Sequence, residues 1–262
     1  MKKVVLTIAG SDSSGGAGIQ ADIKTITMQG HFATSVITAV VAQNTTGVFG
    51  IVELDKDFVC AQIDAVFRDI PPDAVKIGMV SNIGILETIV ERLMHHRAKN
   101  IVVDPVMLSR SGDQLISDEA KEKIASELFP LARLVMPNIP EAEALCGFTI
   151  INEDDMTDAA RAISRIFSCN ILIAGGRLTG NPVDLLMENG EIHWLPHKRI
   201  NNLNTHGIGC TMSSGVACGL AEGKSLYDSV ISAKEYVTGA LADGLNIGKG
   251  PGPLNHMYTL PR

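Results

Sequence analysis

The stretch from Asn204 to Thr211 reads NTHGIGCT and sets two glycines and a cysteine where a loop runs into a helix. Successive backbone N–H groups at a helix start, backed by the positive end of its dipole, cradle a phosphate or a developing anion. Gly207 and Gly209 supply that backbone. Cys210 falls in the first helical turn, where the same field is expected to lower a thiol below its usual pKa of about 8.5. A thiol so placed can accept a proton near neutral pH. An isolated cysteine is more often an inert residue packed under a loop. Here the neighbouring glycines and the hydroxyls of Ser213 and Ser214 favour the chemical reading.

Two further clusters stand out. AGSDSSGGAGIQADIKT, from Ala9 to Thr25, follows a strand-like run and opens a helix. A Walker A loop requires GxxxxGK[ST], and Gly10 to Gly15 is followed by Gly16 where lysine belongs. A dinucleotide fingerprint fits loosely as Gly16, Gly18 and Ala21, but the second strand ends at Gln43 and Asn44 instead of an acidic residue. What remains is a glycine loop flanked by Asp12, Asp22 and Lys24, suited to a polar small molecule. In the third cluster, Asn138-Ile139-Pro140-Glu141, an amide and a carboxylate stand three residues apart at a strand end. Such a pair can hold Mg²⁺ through waters beside a phosphate ligand. It equally suits a helix start, with Asn138 as cap and Pro140 and Glu141 in the first turn.

Alternating elements must position these residues. Strand-like apolar runs cover Val4 to Gly10, Ser35 to Gln43, Ala74 to Val80, Asn100 to Val106, Leu134 to Ile139 and Asn170 to Gly176. Runs of nearly continuous apolar character are what parallel strands buried on both faces require. Helical patterns lie between them: Gly18 to Gln29, Asp57 to Asp69, Ile83 to Arg97, Asp118 to Leu131 and Met156 to Phe167. Asp184 to Pro196 reads as a hairpin turning at Asn189-Gly190. Helical patterns from Gly209 to Glu222 and Leu226 to Leu245 follow. The expected architecture is an α/β fold: a three-layer α/β/α sandwich with a mostly parallel central sheet, in one domain over residues 1–262. Ligands of such sheets gather at the carboxyl ends of the strands, where Asp12, Gln43, Asn44, Asp104, Asn138 and Gly175 fall.

Composition narrows the partners. A net charge of −7 argues against a broad nucleic-acid surface. No apolar stretch approaches the ~18 residues of a membrane span. The N-terminal apolar run flows into the glycine loop, unlike a signal peptide. Five widely spaced cysteines without a CxxC pair fit reduced thiols and a cytoplasmic location. Cys60, Cys146, Cys169 and Cys218 sit in apolar settings and read as core residues.

Taken together, AGSDSSGGAGIQADIKT, SVITAVVAQNTTGV, KIGMV, VVDPVM, SGDQL, PNIPEAE, NTHGIGCTMSSG and the closing GPGPLNH resemble the ribokinase-like superfamily. Within it they resemble the hydroxymethylpyrimidine/phosphomethylpyrimidine kinases of thiamine biosynthesis, over nearly the whole chain. The resemblance implies an ATP- and Mg²⁺-dependent kinase, a homodimer, acting on a pyrimidine and then on its monophosphate. It implies that Gln43 reads the aminopyrimidine ring, with Asp22, Gly10 and Met79 lining the same pocket. It places Asn138, Glu141, Thr205 and Gly175 on the nucleotide side. Glu141, Asn138 and Asp104 would organise Mg²⁺. Gly207 and Gly209 would form the anion hole, with Cys210 as base where most of the superfamily has Asp.

Two departures matter. The strand before the nucleotide site commonly ends Lys-Gly-Gly in this branch, and here it is Ala174-Gly175-Gly176, with Arg177 as a substitute cation. The pyridoxal kinases of this type carry a reactive cysteine in the flap after VDPVM, where this chain has Leu108-Ser109-Arg110-Ser111-Gly112. That difference favours a pyrimidine over pyridoxal. A pyridoxine/pyridoxal kinase of the same fold is the nearest rival, and a non-catalytic pyrimidine-binding protein is the rival of another class.

Overall fold

The computed structural model describes residues 2–80, 82–107, 118–176, 178 and 183–261. The chain begins with β1 (Val4–Asp12), α1 (Gly18–Met28), β2 (Phe32–Asn44), β3 (Gly47–Glu53) and α2 (Lys56–Asp69). It continues through β4 (Ala74–Ile77), α3 (Ile83–His95), β5 (Ile101–Val103), α4 (Asp118–Lys123), β6 (Leu134–Val135), α5 (Ile139–Cys146) and α6 (Glu153–Phe167). It ends with β7 (Ile171–Ile173), β8 (Val183–Glu188), β9 (Glu191–Pro196), α7 (Ile208–Glu222) and α8 (Leu226–Asp243).

The strands form one sheet in the order β3-β2-β1-β4-β5-β6-β7-β8-β9. From β2 to β7 every pairing is parallel, and the two ends, β2–β3 and β7–β8–β9, are antiparallel. Successive side chains of a strand point to opposite faces, and the cores divide accordingly. Leu6, Val75, Val103, Val135 and Ile173 pack with helices α2, α3, α5 and α6. Val5, Ala74, Val102, Leu134 and Leu172 pack on the other face with α1, α7 and α8. The expected α/β/α sandwich is what the chain builds.

The differences have local reasons. β3 was not expected. All of its residues are exposed, so it lacks the buried apolar run that marks the central strands. The helical pattern from Asp118 loosens after Lys123 into a π turn over Ile124–Leu128 and a 3₁₀ turn over Phe129–Leu131, where Pro130 has no N–H to continue an α-helix. β6 stops at Val135, and Ile139 already belongs to α5, with proline in its first turn.

Candidate active site

α7 is the central helix of its layer, buried from Thr211 to Ala221. Its N-cap, Gly207, has φ 88°, a left-handed conformation that favours glycine, and no side chain caps the helix. A Cβ at Gly207 would collide with the carbonyl oxygen of Gly16, so this close approach also requires glycine. The two glycine clusters are thus pressed together, and the first-turn N–H groups of α7 lack a side-chain acceptor. Asp104 comes from the end of β5 to the same place: a Cβ built on Gly209 would lie 3.2 Å from its Oδ2.

Below the helix start lies a charged cluster that the motifs did not announce. Lys76 of β4 is fully buried, and its Nζ donates to Asp22 Oδ2 at 2.8 Å. Asp22 also accepts from Thr7 Oγ1 at 2.5 Å and from Ser214 Oγ at 2.8 Å. Burial alone would lower the lysine, but the field of Asp22, Cys210 and Asp104 raises it above its ordinary value. The clue in the sequence was a single lysine inside the apolar run AVKIGMV. A lysine at a doubly buried strand position requires a partner. Asp22 is that partner. Its carboxylate is fully buried and engaged by protein groups.

Cys210 also requires correction. Its thiol is not acidified. Burial pushes it up to about 12, with Asp22 and Asp104 adding to the effect, against the pull of Lys76 and of the Gly18 N–H. Desolvation outweighs the helix start here. The other cysteines are free as well, and burial pushes Cys169 up to about 11 and Cys218 to about 12, as suits core thiols.

Asn138 and Glu141 form a capping box. Asn138 Oδ1 accepts from Glu141 N–H at 3.1 Å, and Glu141 Oε2 accepts from Asn138 N–H at 3.0 Å. The cap does not use up the carboxylate's electrostatics. Burial, then repulsion from Asp104, pushes Glu141 up to about 8. Burial also pushes Asp104 up to about 6, with Asp22 adding and Lys76 opposing. Two mutually repelling buried carboxylates beside a helix N-terminus form a donor set that would suit a divalent cation.

At the opposite side of the sheet mouth, Gly10 and Met79 meet: a Cβ on Gly10 would lie 3.6 Å from the Met79 sulfur. Gln43, half-buried at the end of β2, exchanges backbone bonds with Ser13 Oγ at 2.7 and 2.9 Å. Asp12 is itself buried, with Oδ1 accepting from Ser14 N and Oγ, and Oδ2 accepting from Gly16 N, Ala17 N and His206 Nε2. Burial would raise this carboxyl, but His206, Ser14 and Gln43 hold it well below its usual range.

Thr205 is half-buried in the loop leading to α7. Gly175 is buried, donates its N–H to Asp184 Oδ1 at 2.9 Å, and has no room for a Cβ against the Val183 carbonyl. Its glycine character thus answers to strand β8. Ala174 is exposed. Beside it the Arg199 guanidinium donates to Gly176 O at 3.1 Å and Leu178 O at 2.9 Å, bringing a cation to the segment that lacks the expected lysine. Arg177 and the flap residues Leu108 to Gly112 lie outside the described residues.

A glycine-lined, uncapped helix start and a pair of buried carboxylates at the mouth of a doubly covered parallel sheet are features of the small-molecule kinases of the ribokinase-like class. The family model for phosphomethylpyrimidine kinase matches residues 12–255, and the chain belongs to that family. A hydroxymethylpyrimidine/phosphomethylpyrimidine kinase of Streptomyces coelicolor is 47% identical over 98% of this chain and 95% of its own. The thiamine biosynthesis bifunctional protein ThiED of Geobacter sulfurreducens is 47% identical over 97% of this chain. The chain spans 52% of that relative's length. Among solved structures, phosphomethylpyrimidine kinase from Clostridium difficile superposes with a TM-score of 0.81 at 46% identity, over 90% of this chain and 98% of its own. An ADP complex of Bacillus subtilis pyridoxal kinase superposes at 0.93 with 33% identity, over 99% of each chain.

Proposed function

We propose that the chain transfers the ATP γ-phosphate to the 5-hydroxymethyl group of 4-amino-5-hydroxymethyl-2-methylpyrimidine, then phosphorylates the monophosphate to the diphosphate, in thiamine biosynthesis. The observation that carries this reading is the uncapped, glycine-lined α7 N-terminus that faces the Asp104 carboxylate; Gln43, Gly10 and Met79 are the pyrimidine contacts that membership of the family implies. Identity of 46–47% to pyrimidine kinases, against 33% to the pyridoxal kinase, supports the pyrimidine as substrate.

Phosphoryl transfer passes through a loose transition state, so positioning and charge neutralisation contribute most. The N–H groups after Gly207 receive the transferring phosphoryl, and Gln43 orients the ring. Asp104 and Glu141, with Asn138 at the cap, would hold Mg²⁺, whose charge offsets that of the phosphates when bound. Among the described residues no three His, Cys, Asp or Glu side chains converge as a metal cage. That suits Mg²⁺, which is commonly held by one or two carboxylates together with substrate phosphates and water. Thr205 would lie beside the nucleotide. Cys210 takes the hydroxyl proton as a thiolate. A thiolate of such high pKa is scarce at neutral pH but strongly basic, and the two effects partly offset.

The active unit in this reading is a homodimer joined at the β3 edge, working in the cytoplasm. Five free thiols favour that compartment, and no described helix is long and apolar enough to cross a membrane. An ADP-release assay over the pyrimidine, B6 vitamers and ribose, with products weighed by mass spectrometry, tests the assignment. ADP formation with pyrimidine mono- and diphosphate products is expected. Turnover on pyridoxal alone would assign the chain to the vitamin B6 kinases, and absence of turnover on the pyrimidine would refute the reading.

A further inference from the structure

The functional reading leaves the Asp12–His206 contact unused. Its partners lie 194 residues apart, one in each glycine loop, with Nε2 to Oδ2 at 2.8 Å and both side chains largely buried. Asp12 is ionised and can only accept, so the imidazole donates from Nε2. Four other protein donors already hold this carboxylate within its own loop, from Ser14 N, Ser14 Oγ, Gly16 N and Ala17 N. The contact from His206 is the one that crosses to the other loop.

The surroundings make the crossing stiff. A Cβ on Gly16 would overlap the His206 ring, and one on Gly207 would overlap the Gly16 carbonyl, so around this bond the two loops pack backbone against backbone and ring. On its far side the His206 N–H donates to Gly252 O at 3.0 Å, which ties the loop to the C-terminal segment. From Asp12 the connection continues through the adjacent Ser13, whose Oγ donates to Gln43 O at 2.7 Å and accepts from Gln43 N–H at 2.9 Å at the end of β2. A continuous line thus runs from Gln43 through Ser13, Asp12 and His206 to Gly207, the N-cap of α7.

We propose that the Asp12–His206 hydrogen bond latches the two glycine loops together, so that a pyrimidine seated at Gln43 strengthens nucleotide binding at the α7 N-terminus. His206 is then a positioning residue, acting through Gly207 without touching either ligand. The inference rests on the kinase reading above. Because Gln43 is tied by two bonds to Ser13, the residue next to Asp12, ordering Gln43 against a ring fixes Asp12. Fixing Asp12 holds the entrance of α7. Coupling of this kind is reciprocal, so nucleotide should strengthen pyrimidine binding by the same factor.

The test is calorimetric titration of a non-hydrolysable ATP analogue into the full-length protein, with and without saturating pyrimidine. In the unaltered protein the pyrimidine should tighten nucleotide binding by at least about fivefold. His206→Ala should bring that factor close to one. His206→Gln, which restores an N–H donor, should recover most of it. Ser14→Ala removes an Asp12 donor inside one loop and should leave the factor unchanged. His206→Asn, too short to reach Asp12, serves as a second disconnecting variant if thermal melts show that His206→Ala does not fold. An unaltered protein with no coupling, or a disconnecting variant that keeps it, overturns the latch. Failure of the kinase reading looks different: the unaltered protein then releases no ADP with the pyrimidine.

Discussion

At the scale of single residues, Cys210 decides whether the site uses a base. The second phosphorylation has a phosphate acceptor that needs no deprotonation, so Cys210→Ala should slow the first step by roughly 10²–10⁴-fold and leave the second nearly unchanged. Rapid-quench assays on each substrate separate the two, and equal losses would assign the thiol a structural role. With the thiol pushed up to about 12, the thiolate fraction grows throughout the range from pH 7 to 9. At saturating Mg²⁺ the first-step kcat/KM should therefore rise across that range while the second stays flat. Glu141 carries a separate expectation. A proton on Glu141, pushed up to about 8, or on Asp104, pushed up to about 6, competes with Mg²⁺ for the same oxygens. The Mg²⁺ concentration for half-maximal activity should fall as pH rises from 6 to 8. Glu141→Gln can still accept the Asn138 N–H, so the cap survives while the charge is lost. Metal titrations of this variant should show affinity or activity reduced by about 10–100-fold and a flattened pH dependence. An unchanged Mg²⁺ requirement would remove Glu141 from the cation site.

At the scale of elements, the buried Asp22–Lys76 pair is the joint of the structure. Asp22 on α1 receives Thr7 from β1, Lys76 from β4 and Ser214 from α7, so one carboxylate fastens two helices to two strands. Lys76→Met leaves that carboxylate buried without its cation and should destabilise the fold by about 3–5 kcal/mol. Asp22→Asn in the same background should recover part of the loss. Denaturant unfolding of both variants checks this, and an additive double variant would mean the two charges do not form a pair. Such joints explain what the sequence could and could not reveal. Parallel strands were legible because burial on both faces leaves uninterrupted Val and Ile, and the α7 entrance was legible because only glycine tolerates its backbone. Asp22 stood out because it flanks a glycine loop, but nothing local says that its side chain also pairs with a lysine 54 residues away. The helix start at Cys210 was legible too. Its desolvation was not, since burial depends on which strands end beneath it.

For the whole molecule, β3 raises the question of what covers the sheet's outer edge. It is the terminal strand, and its residues GVFGIVE contain no lysine or proline of the kind that guards exposed edges. Val48, Phe49, Ile51 and Val52 are all exposed, Phe49 at 71% and Val52 at 67%. Val40, opposite Val52 on β2, and Phe58 on α2 extend the apolar surface. A patch of this character is what monomeric proteins avoid. An antiparallel strand can pair with its own copy across a two-fold axis, which makes the edge self-complementary. The proposed homodimer joins there and would continue the sheet from one subunit into the next. Because β3 follows directly from Gln43 and Asn44, its ordering also bears on the pyrimidine side of the site. Phe49→Lys with Val52→Glu puts charge on both faces of the strand without touching the core. Analytical ultracentrifugation should show a dimer for the unaltered chain and a monomer for the double variant, with KM for the pyrimidine raised more than KM for ATP. A variant that remains dimeric would move the interface elsewhere, and a monomeric unaltered chain would leave the apolar edge to a different partner.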